Sequence, residues 1–434
     1  MEPKFVTFLR QLAAAPLVLA PLCVLLYDPG VIFPFVTPKA AAFHALVLAS
    51  LAASCLVLLL DAPSRARLKA TLGDGLVVAY LLLVLVICLS CLQAPNPMYA
   101  LLGSAERADG AYMYLTLAHY TVLSGLVMRG PHWRAVLCTL VLAGLVLLAF
   151  QLSQHARGEQ RPGSLIGQPT FLSAYYALCA GCTLVLCGGS RDGGFGTGTP
   201  WRRGALLGRL AVALALMGAF ALGVLLTGTR STALGLAASA ALLALLNRDR
   251  LGGQGRRWLW ASALVAGALA LALAWQALGK GVAPRALALL SDNATIGSRL
   301  VNYQIALDAV SPLSFGWQRL LLGWGWSNFY LAWDASYLPQ IDALDPLPFD
   351  KAHNFYLDLL VMCGIMGPAA LALLAWRLYQ STFAVAGGLV RAGLLVIFTT
   401  HLVEYLFNFD SVPNLISAQV ALSYLVYLRL GARA

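Results

Sequence analysis

The chain has 434 residues, of which 60% are hydrophobic and 11% are charged, and its mean hydropathy is +0.78. Because a soluble domain carries roughly twice that charged fraction, the composition excludes a soluble globular protein and predicts a membrane protein. A net charge of +11 would suggest nucleic acid as the partner of a soluble protein. In a membrane protein the distribution of that charge predicts orientation instead, and no nucleic-acid partner is expected.

Long apolar runs predict the membrane-spanning helices, because a hydrocarbon core about 30 Å thick needs roughly 20 apolar residues per helix. Backbone groups in lipid must bond within their own segment, which favours helices over open sheets. Twelve runs are expected to span, and the first is a transmembrane helix or signal anchor rather than a cleaved signal peptide. They lie near 12–27, 40–60, 75–93, 111–128, 135–153, 170–188, 205–226, 230–246, 258–278, 353–376, 384–403 and 412–430. The predicted fold class is an all-α polytopic membrane protein with about twelve transmembrane helices.

The basic residues predict the topology of these helices. Most of the 29 Lys and Arg residues fall in every second loop, as the positive-inside rule requires of cytoplasmic segments. Both termini are therefore expected in the cytoplasm. The basic segments hold Lys4 and Arg10; Arg65, Arg67 and Lys69; Arg129 and Arg134; Arg191, Arg202, Arg203 and Arg209; Arg248, Arg250, Arg256 and Arg257; Arg377 and Arg391; Arg429 and Arg433.

One loop on the opposite side, 279–352, is too long and too well patterned to be a simple connector. Within it, SRLVNYQIALDAV predicts a helix capped by Ser298. The apolar face of that helix would carry Leu300, Tyr303, Leu307 and Val310. Six aromatic residues follow and are expected at lipid headgroup depth, where Trp and Tyr concentrate. They are Trp324, Trp326, Phe329, Tyr330, Trp333 and Tyr337.

Four basic side chains on the same side are candidates for chemistry. Arg230, in TGTRSTALGL, and His353, in PFDKAHNFYLDLL, are each predicted in the first turn of a membrane helix. Helix N-termini attract anions, and arginine adds a fork of donors suited to phosphate oxygens. Arg161 precedes the sixth span and Arg299 opens the amphipathic helix. The helix N-terminus also disfavours imidazolium, so a neutral His353 could act as a general base toward a hydroxyl.

Ordinary interpretations of the same residues remain open at this point. A single interfacial arginine is usually a snorkelling anchor, and an interfacial histidine is more often a polar cap than a catalyst. His44, His119, His132, His155 and His401 are assigned structural roles, with His155 and His401 the first to reconsider. The nine cysteines lie in apolar segments and are expected to pack. Asp342, Asp345 and Asp350 are a weak alternative as cation ligands, and no metal or other cofactor is predicted.

Five ordered blocks resemble the O-antigen ligase and polymerase superfamily: RPGSLIGQPTFLSAYYA, TGTRSTALGL, GSRLVNYQIALDAV, LLGWGWSNFY and AHNFYLDLLVMCGIMG. They run from about residue 161 to 370. The resemblance implies a glycosyltransferase of the GT-C class, with a large, partly helical periplasmic loop. Such enzymes move a glycan from undecaprenyl pyrophosphate to an acceptor at the periplasmic face of a bacterial inner membrane, with inversion and without metal. The first loop of the predicted periplasmic side holds a single acidic residue, Asp28, and no DxD motif, in agreement with metal independence.

The resemblance also implies roles for particular residues. The essential histidine of the family falls on His353, and its two essential arginines fall on Arg230 and Arg299. Arg161 matches a further basic position and Gln168 a polar one. Asn354, Trp324 and Trp326 lie in the matched blocks and are taken as further substrate-binding residues. Thr232 stands where the family often has a smaller residue.

The organisation expected from the resemblance has four parts. Residues 1–160 would hold helices 1–5, and 161–278 would hold helices 6–9 and the start of the ligase core. Residues 279–352 would form the periplasmic loop and 353–434 the last three helices. The expected function is an O-antigen ligase with undecaprenyl pyrophosphate-linked O-antigen as donor, lipid A–core as acceptor, and membrane lipids around it. A compact chain without an extra periplasmic domain favours the ligase over an O-antigen polymerase or a protein O-oligosaccharyltransferase. A twelve-helix transporter, which would show an internal repeat and charges deep within helices, is the alternative of a different class.

Overall fold

The computed structural model describes residues 3–188, 203–247, 293–345 and 348–433, and these ranges consist of helices and loops without a strand. In these ranges, ten α-helices precede residue 248 and seven follow residue 292. They are α1 (Pro3–Leu19), α2 (Thr37–Leu60), α3 (Ala62–Leu72), α4 (Gly75–Cys91), α5 (Pro97–Leu102), α6 (Ala111–Val127), α7 (Gly130–Ala156), α8 (Pro169–Gly188), α9 (Arg203–Thr227), α10 (Arg230–Leu246), α11 (Asn293–Asp308), α12 (Pro312–Leu322), α13 (Phe329–Ala335), α14 (Phe355–Cys363), α15 (Met366–Val385), α16 (Gly388–Glu404) and α17 (Val412–Arg433).

The all-helical class is confirmed for the described ranges. Among those residues, five helical segments are long and apolar enough to cross a membrane: Lys4–Leu25, Thr37–Leu60, Gly130–Ala156, Pro169–Gly188 and Val412–Ala432. A sixth span results if α3 and α4, which meet at a bend of 69°, are counted as one. Of the other predicted spans, 205–226 coincides with α9, 258–278 lies outside the described residues, and the rest coincide with helices of 20 residues or fewer. The total of twelve stays a prediction.

The predicted tenth span, 353–376, is wrong as a continuous helix. The structure has the short helix α14, then Gly364 with a φ of +63°, then α15. The backbone at this break packs against the end of α12, where the N–H of Ile365 donates to the carbonyl of Leu320 at 2.8 Å. A side chain at Gly364 would collide with the backbone of Leu321, so close backbone packing as well as the positive φ requires glycine.

Close packing between α8 and α16 forms the centre of the bundle. A Cβ atom at Gly181 would lie 2.7 Å from the carbonyl oxygen of Gly393, so the two backbones approach each other at a pair of glycines. Small residues at helix interfaces permit this approach in membrane proteins. Helix α10 packs on α16 beside Gly235, which meets Thr400. Both α8 and α10 therefore start near the loop that follows α16, residues 405–411.

Charged loop residues pair with partners that the charge pattern assigns to the same side of the membrane. At the basic end, Arg429 donates to both carboxylate oxygens of Asp74, at 3.0 and 2.9 Å, and Arg10 pairs with Asp61. At the other end, the loop 103–110 meets the segment before α14. This separation agrees with alternating loops. That the basic end faces the cytoplasm stays a prediction from the positive-inside pattern.

The described part of the long loop corrects three expectations. Ser298 lies inside α11 rather than capping it, and the outward face of α11 carries Leu300 and Leu307, which are 62% and 52% exposed. The buried face of α11 instead carries Asn302, Ile305 and Ala306, and the predicted Val310 is buried just beyond the end of the helix. The helix forms as the periodicity predicts, but its buried face differs because Asn302 binds the carbonyl of Lys351, which is distant in sequence.

Four of the six aromatic residues predicted at lipid headgroup depth are buried within the protein, and the depth itself stays a prediction. Trp324 and Trp326 are 8% and 1% exposed, and Phe329 and Trp333 are buried as well. The indole N–H of Trp324 donates to the carbonyl of Ala309, and that of Trp326 donates to the carbonyl of Asp109. The indole of Trp326 therefore joins the long loop to residue 109, whereas that of Trp324 joins two parts of the long loop, and both N–H groups are satisfied.

Candidate functional site

His353 lies in a turn before helix α14, not in its first turn as predicted. Asn354 is the N-cap, and its side-chain oxygen accepts hydrogen bonds from the N–H groups of Tyr356 and Leu357. The backbone of His353 has a φ of +58°, the left-handed region that costs a residue with a Cβ about 1 kcal/mol or more. Such strain persists only where the surroundings hold it, and it concentrates at functional sites.

The imidazole of His353 packs between two phenylalanine rings. Its centroid lies 5.5 Å from that of Phe349 and 5.2 Å from that of Phe409, both edge-to-face. Its Nδ1 atom is buried and has no hydrogen-bond partner among the described residues. An unpaired buried ring nitrogen costs free energy, so a ligand group that bonded to it would be favoured at this place.

Burial and nearby arginines favour the neutral form of this imidazole. Burial lowers the pKa of His353 below its ordinary value, and the guanidinium of Arg299 lowers it further. The backbone of Lys351 and the carboxylate of Asp350 act in the opposite direction, and Arg107 again lowers it. The net direction is downward, which the sequence predicted, but burial and arginines cause it rather than a helix dipole acting on a residue in the first turn.

Arg299 is close enough to act on His353, as the resemblance implied. It is the seventh residue of α11, so it does not open that helix. One turn further along, the hydroxyl of Tyr303 donates to the carbonyls of His353 and Leu406, both at 3.4 Å. Helix α11 therefore carries the cation of Arg299 and, one turn later, the hydroxyl of Tyr303 that bonds to the turn at His353.

Arg230 and Arg161 meet at a second turn. Arg230 is the first residue of α10, as predicted, and its side chain is exposed. The preceding turn has Gly228 at a φ of +62°, and Arg161 donates from Nε to the carbonyl of Thr227 at 3.1 Å. Both guanidinium groups therefore belong to one turn at the N-terminus of a helix, the arrangement that suits an anion.

The loop 405–411 joins the two turns. Asn408 donates to the hydroxyl of Ser231, at the start of α10, at 3.0 Å. The N–H of Phe355, at the start of α14, donates to the carbonyls of Tyr405 and Asn408, at 2.8 and 3.2 Å. One short segment therefore contacts both the arginine turn and the histidine turn, although the four residues come from separate parts of the chain.

Thr232 has a function that the sequence did not indicate. Its side chain is fully buried, and its hydroxyl donates to a carboxylate oxygen of Glu404, which is 6% exposed. This hydrogen bond joins the first turn of α10 to the last residue of α16. A smaller residue without a hydroxyl would leave the buried carboxylate without this donor.

A cavity of about 350 Å³ opens beside Phe409. This volume lies within the range of small-molecule sites, which combine apolar walls with a few polar groups. Aromatic rings provide much of the wall, and Gln168, Arg107 and Glu106 provide polar groups. The lining residues are Phe33, Pro34, Phe35, Val36, Glu106, Arg107, Ile166, Gly167, Gln168, Phe171, Phe409, Asp410, Ser411, Val412 and Pro413. The predicted substrate residue Gln168 is exposed to this cavity.

Arg107 and its neighbours are the part of the site that sequence reasoning missed. Arg107 donates to both carboxylate oxygens of Asp350, at 2.8 and 3.1 Å, and its guanidinium carbon lies 4.6 Å from the Phe409 ring centroid. Two residues further, Asp109 accepts from the ammonium of Lys351 at 2.6 Å. In the sequence, these ion pairs are indicated only by alternating acidic and basic residues in SAERADG and in DK. Charged loops commonly show such alternation, so it does not identify a site.

Other candidate residues make contacts within the protein. The side-chain oxygen of Asn354 caps α14, and its amide donates to the carbonyl of Leu406. Trp326 is too buried to offer a ring face to a substrate, and Trp324 is nearly so. Among the described residues, Asp342 accepts from Tyr337, and no three metal-type ligands converge, so the alternative cation site is not formed there.

Comparison with known proteins matches a segment of the chain to a family. Residues 211–372 match the family model described as O-antigen ligase. The match includes Arg230, Arg299 and His353, whereas Arg161, Gln168 and Arg107 precede it. No curated protein matches the chain closely enough to be reported. The resemblance to the O-antigen ligase family, predicted from the order of its sequence blocks, is therefore confirmed over residues 211–372.

Proposed function

We propose that this protein is an O-antigen ligase of a bacterial inner membrane. It transfers O-polysaccharide from undecaprenyl pyrophosphate to a sugar hydroxyl of the lipid A–core at the periplasmic face. The match to the family supports a glycosyltransferase of the ligase and polymerase superfamily. The observation that carries the proposal further is the buried Nδ1 of His353, which lacks a hydrogen-bond partner among the described residues. The imidazole lies near Arg299 and behind the Phe409 ring that lines a sugar-sized cavity.

The reaction is a single displacement with inversion. The acceptor hydroxyl oxygen forms a bond to the anomeric carbon, and the bond from that carbon to the diphosphate oxygen breaks. Undecaprenyl pyrophosphate leaves with the electron pair of the broken bond. His353 accepts the hydroxyl proton, which fits a ring nitrogen that lacks a partner and a pKa held low by burial and Arg299. Neither metal nor another cofactor has a part in the proposal.

The arginines bind the diphosphate and stabilise the negative charge that grows on it. Arg230 offers its guanidinium at the N-terminus of α10, where helix N–H groups and the dipole add to the attraction. Arg299 would neutralise the side of the diphosphate nearer His353. Arg161, bonded to the turn that presents Arg230, contributes a further cation at the same end of the helix.

The cavity is proposed to hold a sugar ring of one substrate. Its walls of Phe35, Phe171 and Phe409 suit the apolar faces of a sugar, and Gln168 suits its hydroxyl groups. The same Phe409 ring contacts His353, so this one aromatic ring lies between a sugar in the cavity and the proposed base. Lipid-anchored substrates would reach this place along the outer surface of the bilayer.

The test is transfer in vitro with purified protein, a defined undecaprenyl pyrophosphate-linked glycan and purified lipid A–core. Wild type should form the glycan-bearing core, and His353→Ala should reduce the rate by 10²–10⁴-fold, the range of general-base catalysis. His155→Ala is the matched control, because His155 is an exposed histidine at the same end of the bundle and outside the site. Unchanged transfer in His353→Ala would remove this residue from the mechanism.

The acceptor decides between the ligase and its relatives. Formation of a longer lipid-linked glycan from donor alone would identify an O-antigen polymerase. Transfer to a polypeptide, with the lipid A–core left unmodified, would identify a protein O-oligosaccharyltransferase. Either result would keep the glycosyltransferase chemistry and replace the proposed acceptor.

A further inference from the structure

We infer that the loop 103–110 is a clamp that positions His353, with Arg107 and Lys351 as positioning residues for the proposed base. This inference rests on the proposed function, because it assigns the clamp to the same histidine. Only one of the two segments that form the clamp lies within the family match, 211–372. Lys351 and Asp350 lie within the matched segment, whereas Arg107 and Asp109 lie about a hundred residues before it.

The first observation is a pair of ion pairs with opposite polarity. The loop presents a cation at Arg107 and an anion at Asp109, and the segment before His353 presents an anion at Asp350 and a cation at Lys351. The pairs are adjacent, so a shift of one register would place like charges together. Opposed charges therefore specify a single docking of the two segments.

The two pairs differ in burial, which gives them different parts in the clamp. Side chains of the Lys351–Asp109 pair are 5% and 8% exposed, whereas those of Arg107 and Asp350 are 25% and 39% exposed. A buried pair is costly to break because the remaining charge loses its partner, so the inner pair fixes the docking. The outer pair lies at the wall of the cavity and next to Phe409, so it acts nearer the imidazole.

The second observation is that the loop itself is built to be stiff. Gly110 and Gly103 pack against each other so closely that a Cβ atom on either would meet backbone, and the N–H of Ala108 closes a turn onto Ser104 at 2.7 Å. The carbonyl of Asp109 accepts from the buried indole of Trp326. Because these contacts restrain the loop at both ends and near its middle, the loop can fix the position of the segment with which it forms ion pairs.

The third observation is how completely the residues around His353 are tied. The carbonyl of Lys351 accepts from Asn302 at 3.0 Å, and the N–H of Ala352 donates to Asp358 at 2.7 Å. The side chain of Asn354 caps α14, whereas Nδ1 of His353 lacks a hydrogen-bond partner among the described residues. A left-handed φ at a residue with a Cβ needs such restraint on both sides, and the clamp supplies it on the N-terminal side.

The outer pair also sets the charge around the imidazole. The charged groups that act on His353 are Arg299 from α11, Arg107 from the clamp and Asp350 from its own segment. Lys351, although adjacent, points to Asp109. Loss of Arg107 would remove a cation and free the carboxylate of Asp350, and both changes favour imidazolium.

The primary variant is Arg107→Gln, because its side chain is partly exposed and the fold should tolerate the change. We expect kcat to fall roughly 10- to 100-fold, since small displacements of a catalytic group have effects of this size. The donor and acceptor KM values should change less than threefold. The acid limb of the pH–rate profile should move to higher pH. Arg10→Gln, which breaks an ion pair with Asp61 at the basic end, is the matched control and should leave kcat and the pH profile unchanged.

The inner pair supplies a second, independent variant. Lys351→Met should lower both thermal stability and kcat, whereas Lys351→Met with Asp109→Leu should recover most of the stability, because neither member of this ion pair is left buried without the other. The positioning role predicts that kcat stays low in the double variant although stability returns. Recovery of both together would overturn the inference, since the pair would then act on stability alone.

A readout without turnover separates this inference from the proposed function. Diethyl pyrocarbonate modifies neutral imidazole, so the rate at which it labels His353, followed by peptide mass spectrometry over pH, reports access and protonation. Arg107→Gln should change the labelling rate at His353 and leave that at His155 unchanged. A wild type inactive in transfer but with this labelling shift would contradict the proposed function only. An unchanged His353 labelling profile, or a raised KM with normal kcat in Arg107→Gln, would overturn the clamp.

Discussion

The ring of His353 meets the ring of Phe409 edge-to-face, with centroids 5.2 Å apart and an angle of 82° between the planes. The same phenylalanine contacts Phe171 at 5.5 Å and lies under the guanidinium of Arg107. One aromatic side chain from the loop 405–411 therefore separates the imidazole from the cavity and touches both. The first prediction concerns this contact.

Phe409→Leu should lower kcat about tenfold while changing the thermal midpoint little, because an aromatic pair contributes ~1 kcal/mol beyond its burial and leucine preserves most of the apolar volume. Steady-state kinetics and a thermal melt in detergent would test it. Phe407→Leu, two residues away on the same loop, is the matched control. A kcat equal to that of wild type would show that the phenylalanine only fills space.

Arg299→Gln should move the acid limb of the pH–rate profile to higher pH. The imidazole must be neutral to accept a proton, and the cation of Arg299 is a cause of its lowered pKa, second to burial. Without that cation the pKa of His353 rises, so a larger fraction is protonated and inactive at any given acidic pH. Rates measured from pH 5 to 8 would show the shift, and an unmoved acid limb would remove Arg299 from the electrostatics of the base.

Arg230→Lys should raise the KM for the lipid-linked donor and lower kcat, although the positive charge is retained. A guanidinium contacts two phosphate oxygens at once, whereas an ammonium acts as a point charge. We expect kcat/KM for the donor to fall about 100-fold, the effect of losing one donor to a growing anion. Arg157→Lys, an exposed arginine near the same end that donates to Ser153, is the control. Equal kinetics for the two variants would indicate that Arg230 is only an anchor.

Gln168→Ala should raise one KM about three- to tenfold and leave kcat within a factor of two, as expected for one hydrogen bond to a bound sugar. The side chain lines the cavity, whereas His353 does not. Separate titrations of donor and acceptor would show which substrate supplies the sugar. Two unchanged KM values would contradict sugar binding in the cavity.

Thr232→Val should reduce the free energy of unfolding by about 1–3 kcal/mol, because the buried carboxylate of Glu404 loses its donor while the side-chain volume is kept. Thr232→Ser keeps the hydroxyl and should cost much less. Chemical denaturation in detergent would compare the two variants. If serine and valine destabilise equally, packing rather than the hydrogen bond would explain the threonine.

The sequence by itself determined the class of this protein and the identity of its main candidates. Apolar runs long enough to span a bilayer permit only helices. Alternating basic loops predict two sides, and the pairs Arg429–Asp74 and Lys351–Asp109 belong to loops predicted on opposite sides. The ordered blocks were sufficient to select Arg230, Arg299 and His353, because such blocks keep their order along the chain whatever the packing.

Tertiary structure alone decided how these residues are held and what lies beside them. Three features depend on partners that are distant in sequence. The left-handed turn at His353 depends on residues 107–110, and the break at Gly364 depends on residues 320–322. The burial of Trp326 depends on contacts with residues 90 and 109. Local periodicity cannot report such partners. The clamp is the clearest case, because a charged loop looks solvated until the opposite charges of a remote segment are placed against it.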